Sequence, residues 1–435
     1  VGAAGVLAVI SMGSQPAASA KAGVGADAWN KVSAVSKLPG GGHTATLLSD
    51  GRILLTGGDD RGADVEMFDP VRSKVSAAAP MAAARQQHTA TLLKDGKVLI
   101  AGGYGSSNSG AATPLASAEV FDPAGGKWAS AGSMPIGRAA HTATLLGNGK
   151  VLVAGGIQEG HGELLKSVEI FDPEALSWTT VAEMPTGRAD HTATVLSDGS
   201  VLFAGGRGAA HNPSLKDAFI YAPVAGTWTA VPQLMNVERG LHSATLLSDG
   251  RVLLAGGLKV FIGLSAQNLL SAAEVFDPKT ATFKQVAPMR IARYYHGAVS
   301  LPDGTVLAAG GFGVGTGAVA NSPIGAAEIY NPVTQKWSSA GQMPAMPGEA
   351  DHQARVTLTA FSDGSCSGKA QCRALAAGGG VSQIYVPSRL SNSVPPGTKP
   401  RSSLSPGLAA AIGVAAAFAL VLVLSLASRR RKNLS

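Results

Sequence analysis

Seven histidines recur along the chain at a near-constant interval: His43, His88, His141, His191, His242, His296 and His352. In five copies an arginine stands three residues earlier, at Arg85, Arg138, Arg188, Arg239 and Arg293. Gathered round one axis, imidazoles can ligate a metal, and guanidiniums can bind an acidic glycan or a carboxylate. The competing reading is scaffolding, and recurrence in nearly every unit favours it for both residue types. Departures from the pattern say more. Only the His296 copy has tyrosines before the histidine, Tyr294 and Tyr295. Val260-Phe261-Ile262 is an apolar run inside a loop; it either contacts a partner or folds over the axis. Glu159, His161 and Glu163 share one loop and read as a solvated segment rather than a cation site. No metal or cofactor is expected.

The elements that position these residues come from the repeat itself. Each histidine opens a short strand A, as in His141-Thr-Ala-Thr-Leu-Leu146. An Asp-Gly or Asn-Gly pair follows, from Asp50-Gly51 to Asp363-Gly364, and predicts a two-residue hairpin turn. Strand B is apolar throughout, as in Val151–Ala154, so both its faces are buried. It ends in a Gly-Gly doublet that permits close backbone approach. Strand C ends at Asp-Pro or Asn-Pro in most copies, and strand D carries Trp128, Trp178, Trp228, Phe283 or Trp337. A four-stranded sheet with two apolar faces needs neighbours on both sides, and a closed ring supplies them. The expected fold is all-β: a seven-bladed β-propeller of four-stranded blades over residues 29–387. The seventh copy lacks strand D, and Trp29–Val35 is expected to complete it.

The order Arg, His, Gly-Gly, aromatic strand C and Trp resembles the kelch repeat. The variant with an Asp-Gly hairpin is similar to the propeller domain of the galactose oxidase family. That resemblance implies a propeller, which hosts enzymes and binding scaffolds alike. In that family a Tyr-His pair at this point ligates copper, and Tyr295 and His296 match that half of the motif. The family's second tyrosine would fall at Leu241, and neither cysteine is placed to join it. No motif here matches the family's further histidine ligand; His352 is the candidate for it. The alternative function it implies is a copper-dependent carbohydrate or aldehyde oxidase of the galactose oxidase type.

Chain direction puts the D–A and B–C loops on one face and the A–B and C–D turns on the other. The B–C loops, Tyr104–Ser117, Ile157–Ser167, Arg207–Asp217, Leu258–Ala272 and Phe312–Ala326, are long and unlike one another. Variable loops on a rigid frame are where recognition sits. The expected binding face therefore carries Arg85, Arg138, Arg188, Arg239, Arg293, Tyr294, Tyr295, His296 and Phe261, and its expected partner is a protein or a glycan.

The two ends of the chain suggest location. Val1–Ile10 is apolar and Ala18-Ser19-Ala20 fits a cleavage site, so residues 1–20 read as a signal peptide with a truncated start. Residues 388–406 are a Ser/Pro-rich linker. Residues 407–428 carry no charge over 22 positions, enough for a transmembrane helix at about 1.5 Å per residue. The basic tail, 429–435, begins Arg429-Arg430-Arg431-Lys432 and belongs in the cytoplasm, which places the propeller outside. Residues 388–435 hold seven basic side chains and no acid, so the remaining 28 basic residues balance all 28 acidic ones. The basic pI thus argues for no nucleic-acid partner. Cys366 and Cys372 are the only cysteines; in an exported protein they form a local disulfide, with two free thiols as the alternative.

Overall fold

The structure is a computed structural model. It describes residues 28–31, 42–58, 63–72, 74–106, 112–158, 164–208, 213–261, 265–313, 322–343, 357–361, 373–378 and 381–386. The chain divides into two units, 1–389 and 390–435, and the second lies outside the described residues. So do the proposed signal peptide, linker, transmembrane segment and both cysteines. Among the described residues no helix is long and apolar enough to cross a membrane.

The described residues form seven four-stranded antiparallel sheets, two smaller sheets and one 3-10 turn, Ala266–Asn268. The third sheet is representative: Thr142–Leu145, Val151–Ala154, Val168–Asp172 and Ser177–Val181, paired in chain order. Its strand B is buried at every position, whereas strand D is mostly exposed. The apolar clusters straddle neighbouring sheets. Leu99 and Ala101 of the second sheet, for example, pack with Val151, Val153 and Phe171 of the third. The core therefore lies between sheets, which is why strand B is apolar on both faces.

The A–B connection differs from expectation. In the first sheet the Leu48 N–H bonds the Arg52 carbonyl (2.8 Å) and the Gly51 N–H bonds the Leu48 carbonyl (3.0 Å). Three residues, not two, make the loop, and only Gly51 has a positive φ, at 84°. This is a type I turn closed by a left-handed glycine. The aspartate is there for its side chain: Asp50 Oδ1 accepts the Arg52 N–H at 2.9 Å.

Strand D zips the outer edges. Trp128, Trp178 and Trp228 pack on the aromatic of their own strand C, with centroids 4.8–4.9 Å apart. Each also donates its indole N–H to the preceding sheet, at Ala79, Ala131 and Ala182. Phe283 has no such donor. Gln233 of the preceding sheet supplies the link instead, donating to the Phe283 carbonyl at 2.9 Å.

The last sheet joins both ends of the described chain. Ala28–Lys31 pairs antiparallel with Val381–Val386, placing Trp29 opposite Tyr385. The innermost strands are neighbours in a closed cycle, in which Thr357–Phe361 lies beside both Gly297–Ser300 and Thr44–Leu47.

Candidate ligand-binding face

The repeated arginines are internal. Arg85, Arg138, Arg188, Arg239 and Arg293 are all fully buried. Arg85 donates to the carbonyls of Gly102 (2.8 Å) and Ser117 (3.1 Å) and to Glu119 Oε1 (2.7 Å). Glu119 in turn accepts the backbone N–H of Ala82 at 2.7 Å. Arg138–Glu169, Arg239–Glu274 and Arg293–Glu328 repeat the pair. The fourth sheet carries Phe219 where the others carry the glutamate. Arg188 there lies 5.0 Å from the Phe219 ring and pairs with Asp217 at 3.1 Å. A buried guanidinium requires a counter-charge and acceptors for its N–H groups; each of these has an acidic partner, and its terminal nitrogens are bonded, although the Nε of Arg85, Arg138 and Arg293 is not. They present no charge to a ligand: full burial fits the scaffolding reading of these arginines rather than the cationic ring, and takes them off the list of residues expected on the binding face.

The histidines are committed as well. His141 Nε2 shares a hydrogen bond with Thr89 Oγ1 of the preceding sheet at 3.0 Å. His191–Thr142, His242–Thr192 and His296–Ser243 repeat it at 2.9–3.1 Å. Burial pushes His141 and His296 down to about 3, so the rings are neutral. The doublet glycines make room for them. A Cβ on Gly102 would lie 2.5 Å from the Arg138 carbonyl oxygen and 2.8 Å from the His141 ring. Arginine, histidine, hydroxyl and doublet are thus one inter-sheet joint.

Between each arginine and histidine sits a position that does not repeat. Gln87, Ala140, Asp190, Leu241 and Tyr295 all have φ of 52–56°, and Gly42 has 82°. Backbone bonds join them into a rim at the start of the innermost strands: Gln87 N–H to Gly42, Asp190 N–H to Ala140, Leu241 N–H to Asp190 and Tyr295 N–H to Leu241. Among the described residues, the residue after each doublet pairs back to the rim's neighbour, as Tyr104 does with Gln86 and Arg207 with Ala189. The bases of the D–A and B–C loops therefore share one face. They also repeat: the N–H groups of Leu115, Leu165, Leu215, Leu270 and Ile324 all bond the second doublet glycine.

The rim has two sectors. Leu241, Leu258, Leu269, Tyr294, Tyr295 and Phe312 form an apolar cluster with Phe261 against it. A Cβ on Gly240 would meet the Phe261 ring at 2.6 Å, so the apolar fifth loop folds inward over the rim. In the other sector Arg207 lies 3.5 Å from Asp190 and 5.1 Å from the Phe261 centroid. Tyr104 feels both charges, although burial is what chiefly raises its pKa. Gln87, Tyr104, Asp190 and Arg207 went unrecognised in the sequence. The available signal was a variable residue locked between two invariant ones.

Tyr295 and His296 are adjacent but face different tasks. Tyr295 packs in the apolar cluster, while His296 Nε2 is held by Ser243. Leu241, at the second-tyrosine position, offers no ligand atom. Among the described residues no three His, Cys, Asp or Glu side chains are grouped to hold a metal. Tyr295, His296 and Leu241 by themselves supply no complete copper ligand set. His352, Glu159, His161 and Glu163 lie outside the described residues. On the opposite face, a cavity of about 510 Å³ between the fourth and fifth sheets is lined by Asp198, Asp249 and Asp277. Asp249 is paired with Arg251, and the other two accept local turn N–H groups.

Comparison with known proteins agrees with this architecture. The KLHDC2/KLHL20/DRC7 kelch-repeats domain model matches residues 42–257, and the kelch motif model matches 292–344. The solved structure of YjhT is similar at a TM-score of 0.55 and 17% identity, covering 70% of this chain and 98% of that one. A fungal alcohol oxidase of the AA5 family, solved in complex with copper, is similar at 0.55 and 19%, covering 80% and 79%. At such identities the likeness concerns the fold. No curated protein matches. The repeated joint, the four-stranded sheets and both family matches make this chain a kelch-repeat β-propeller, similar in architecture to the galactose oxidase family propeller.

Proposed function

We propose that the chain is a seven-bladed, membrane-anchored extracytoplasmic scaffold that binds a protein or a glycan, without redox chemistry, on its D–A and B–C face. The observation that carries the binding face is the division of labour at the start of strand A. Every repeated polar residue is engaged in the inter-sheet joint, while the rim residue beside it varies from Gly42 to Tyr295. Seven four-stranded sheets with cyclic inner-strand contacts support the blade count. The anchor rests on the uncharged 407–428 segment and the Arg429–Lys432 stop. Protease added to intact cells should release residues 29–387, whereas their protection would overturn the topology. Cross-linking on those cells should map partners to the face bearing Tyr104 and Phe261; cross-links at the Asp-Gly turns would overturn the face. An oxidase is the second reading, favoured by the likeness to the copper-bound alcohol oxidase. Stoichiometric copper retained through dialysis and lost in Tyr295→Phe would promote it.

A further inference from the structure

The Asp-Gly turns on the opposite face repeat a charge pattern that one sheet breaks. In four of the first five sheets a cation follows the turn glycine: Arg52, Lys97, Lys150 and Arg251. Three of them pair with the aspartate of their own turn, Arg52 with Asp50 at 2.7 Å, Lys97 with Asp95 and Arg251 with Asp249 at 2.6 Å. Lys150, whose turn carries Asn148, pairs with Asp172 at the end of strand C at 2.7 Å. Cations also cross to the next sheet. Arg52 donates to the Pro123 carbonyl at 3.3 Å, and Lys94, which precedes the second turn's aspartate, donates to the Gly147 carbonyl. The fourth sheet has serine at both of these places, Ser197 and Ser200. Its Asp198 carboxylate accepts two bonds from Ser200 instead of meeting a cation, at 2.6 and 2.9 Å. Asp277 of the fifth sheet stands where Asp172 stands in the third. Among the described residues, neither Asp198 nor Asp277 is in an ion pair. The boundary between these two sheets holds the cavity of about 510 Å³, and both carboxylates line it.

The neighbouring boundary shows what chemistry fits. Between the second and third sheets the Lys94 stem passes over Gly149, where a Cβ would meet its Cδ at 3.3 Å, and the ammonium ends on a main-chain carbonyl. The corresponding glycine of the fifth sheet is Gly250, and a Cβ there would meet only Ser197 Oγ, at 3.1 Å. A short hydroxyl thus stands where an alkylammonium stands two sheets earlier. Arg251 and Lys279 also line the cavity, but Arg251 is held by two bonds to Asp249. Three carboxylates against two cations leave the lining net negative, which attracts a cation and repels an anion. Leu196 and Pro278 supply apolar wall for an alkyl chain. The volume is within the range of about 300–1,000 Å³ that small ligands occupy. We propose that Asp198 and Asp277, with Leu196, Ser197 and Pro278 around them, form a site for a small linear alkyl diamine or polyamine. Its ammonium groups stand in for the cations that the neighbouring sheets supply from the chain itself. The site lies on the turn face and does not rest on the ligand-face reading above.

The test is calorimetric titration of the full chain at low ionic strength with 1,4-diaminobutane and spermidine, using butane-1,4-diol as the uncharged counterpart. At least one amine should bind saturably, at least tenfold more tightly than the diol, and more weakly as salt is added. Asp198→Asn and Asp277→Asn should each weaken it about tenfold, the scale of one lost charge-assisted hydrogen bond. Both should fold, because Asn148 and Asn331 already hold the same turn positions in the third and sixth sheets and accept the same local N–H bonds. Ser200→Lys restores the cation of the other turns beside Asp198 and should abolish binding. Thermal melts check that each variant is folded, and if Ser200→Lys is not, the two asparagine variants decide. The proposal fails if neither amine binds, or if the diol binds as tightly. Parent affinity in folded Ser200→Lys or folded Asp198→Asn would place the amine elsewhere on the surface and also overturn it.

Discussion

His296 and Tyr295 are neighbours in sequence, yet they belong to two regions under opposite constraints. His296 is part of the inter-sheet joint, where its Nε2 and ring edge meet fixed counterparts, Ser243 and Gly256, in the preceding sheet. Tyr295 is part of the rim, where what repeats is the backbone, a left-handed φ and one hydrogen bond, and the side chain differs from copy to copy. Repetition marks the joint because the same contact must be made at each sheet boundary. Variation marks the rim because its side chains make no boundary. The lesson is that a repeated histidine or arginine is poor evidence for a site, and the unremarkable residue beside it is better evidence.

If the joint holds the ring, the largest effect should come from acid. Burial sets His141 and His296 at about 3, and it pushes His88, His191 and His242 well below their usual value. The folded pKa lies below the unfolded value of about 6.5, so the unfolded chain binds more protons between the two. Stability is therefore full above about pH 6.5 and falls steadily toward pH 3, by an amount on the order of several kcal/mol for each of His141 and His296 and in the same direction for the other three. Urea midpoints measured across that range should drop steeply, and His141→Gln should flatten the curve. A midpoint flat from pH 7 to 4 would mean that the histidines are not buried neutral in solution.

One arginine should matter next most. Arg138→Ala leaves Glu169 buried without its cation, at a cost of about 3–5 kcal/mol. Arg138→Ala with Glu169→Ala should recover part of that loss, which a double-mutant cycle measures. A loss under about 1 kcal/mol for the single change would return these arginines to the list of ligand contacts. Gly155→Ala tests the same joint from its other side. The added Cβ would lie 2.5 Å from the Arg188 carbonyl oxygen, on a backbone at φ 65°. The expected cost is about 2–3 kcal/mol, read from the melting temperature.

Much of the joint was legible and little of the rim was. Asp-Gly turns, apolar B strands and the Gly-Gly doublets announce the hairpins because backbone geometry restricts those residues directly. The spare Trp29 correctly pointed to the strand that pairs with Val381–Val386. The turn length was misread because Asp-Gly serves both the two-residue turn and the three-residue loop seen here. Glu119 and Glu169 were overlooked as arginine partners because a polar residue in strand C reads as an ordinary solvent-facing position. The methionines at 81, 134, 184, 235, 289 and 343 also repeat and are buried, a signal in plain view but of a residue with no chemistry to draw attention. Asp190 and Arg207 meet because the residue before strand A pairs with the residue after the doublet of the same sheet, and Phe261 joins them from the next loop, which spacing along the chain does not encode.

The smallest expected effect is the most discriminating. Gln87 lies between the joint residues Arg85 and His88 but belongs to the rim. Its Oε1 has no partner, so Gln87→Leu removes an unmet acceptor rather than a bond. Its backbone conformation is one that Leu241 already adopts, with φ of 56° against 55°. The melting temperature should therefore stay within about 2 °C of the parent, or rise, since an unmet buried acceptor costs stability. A loss of more than about 2 kcal/mol would show that Gln87 takes part in holding the sheets together. The boundary between joint and rim would then run on the other side of residue 87, and the amide would be structural in the way that Arg85 is.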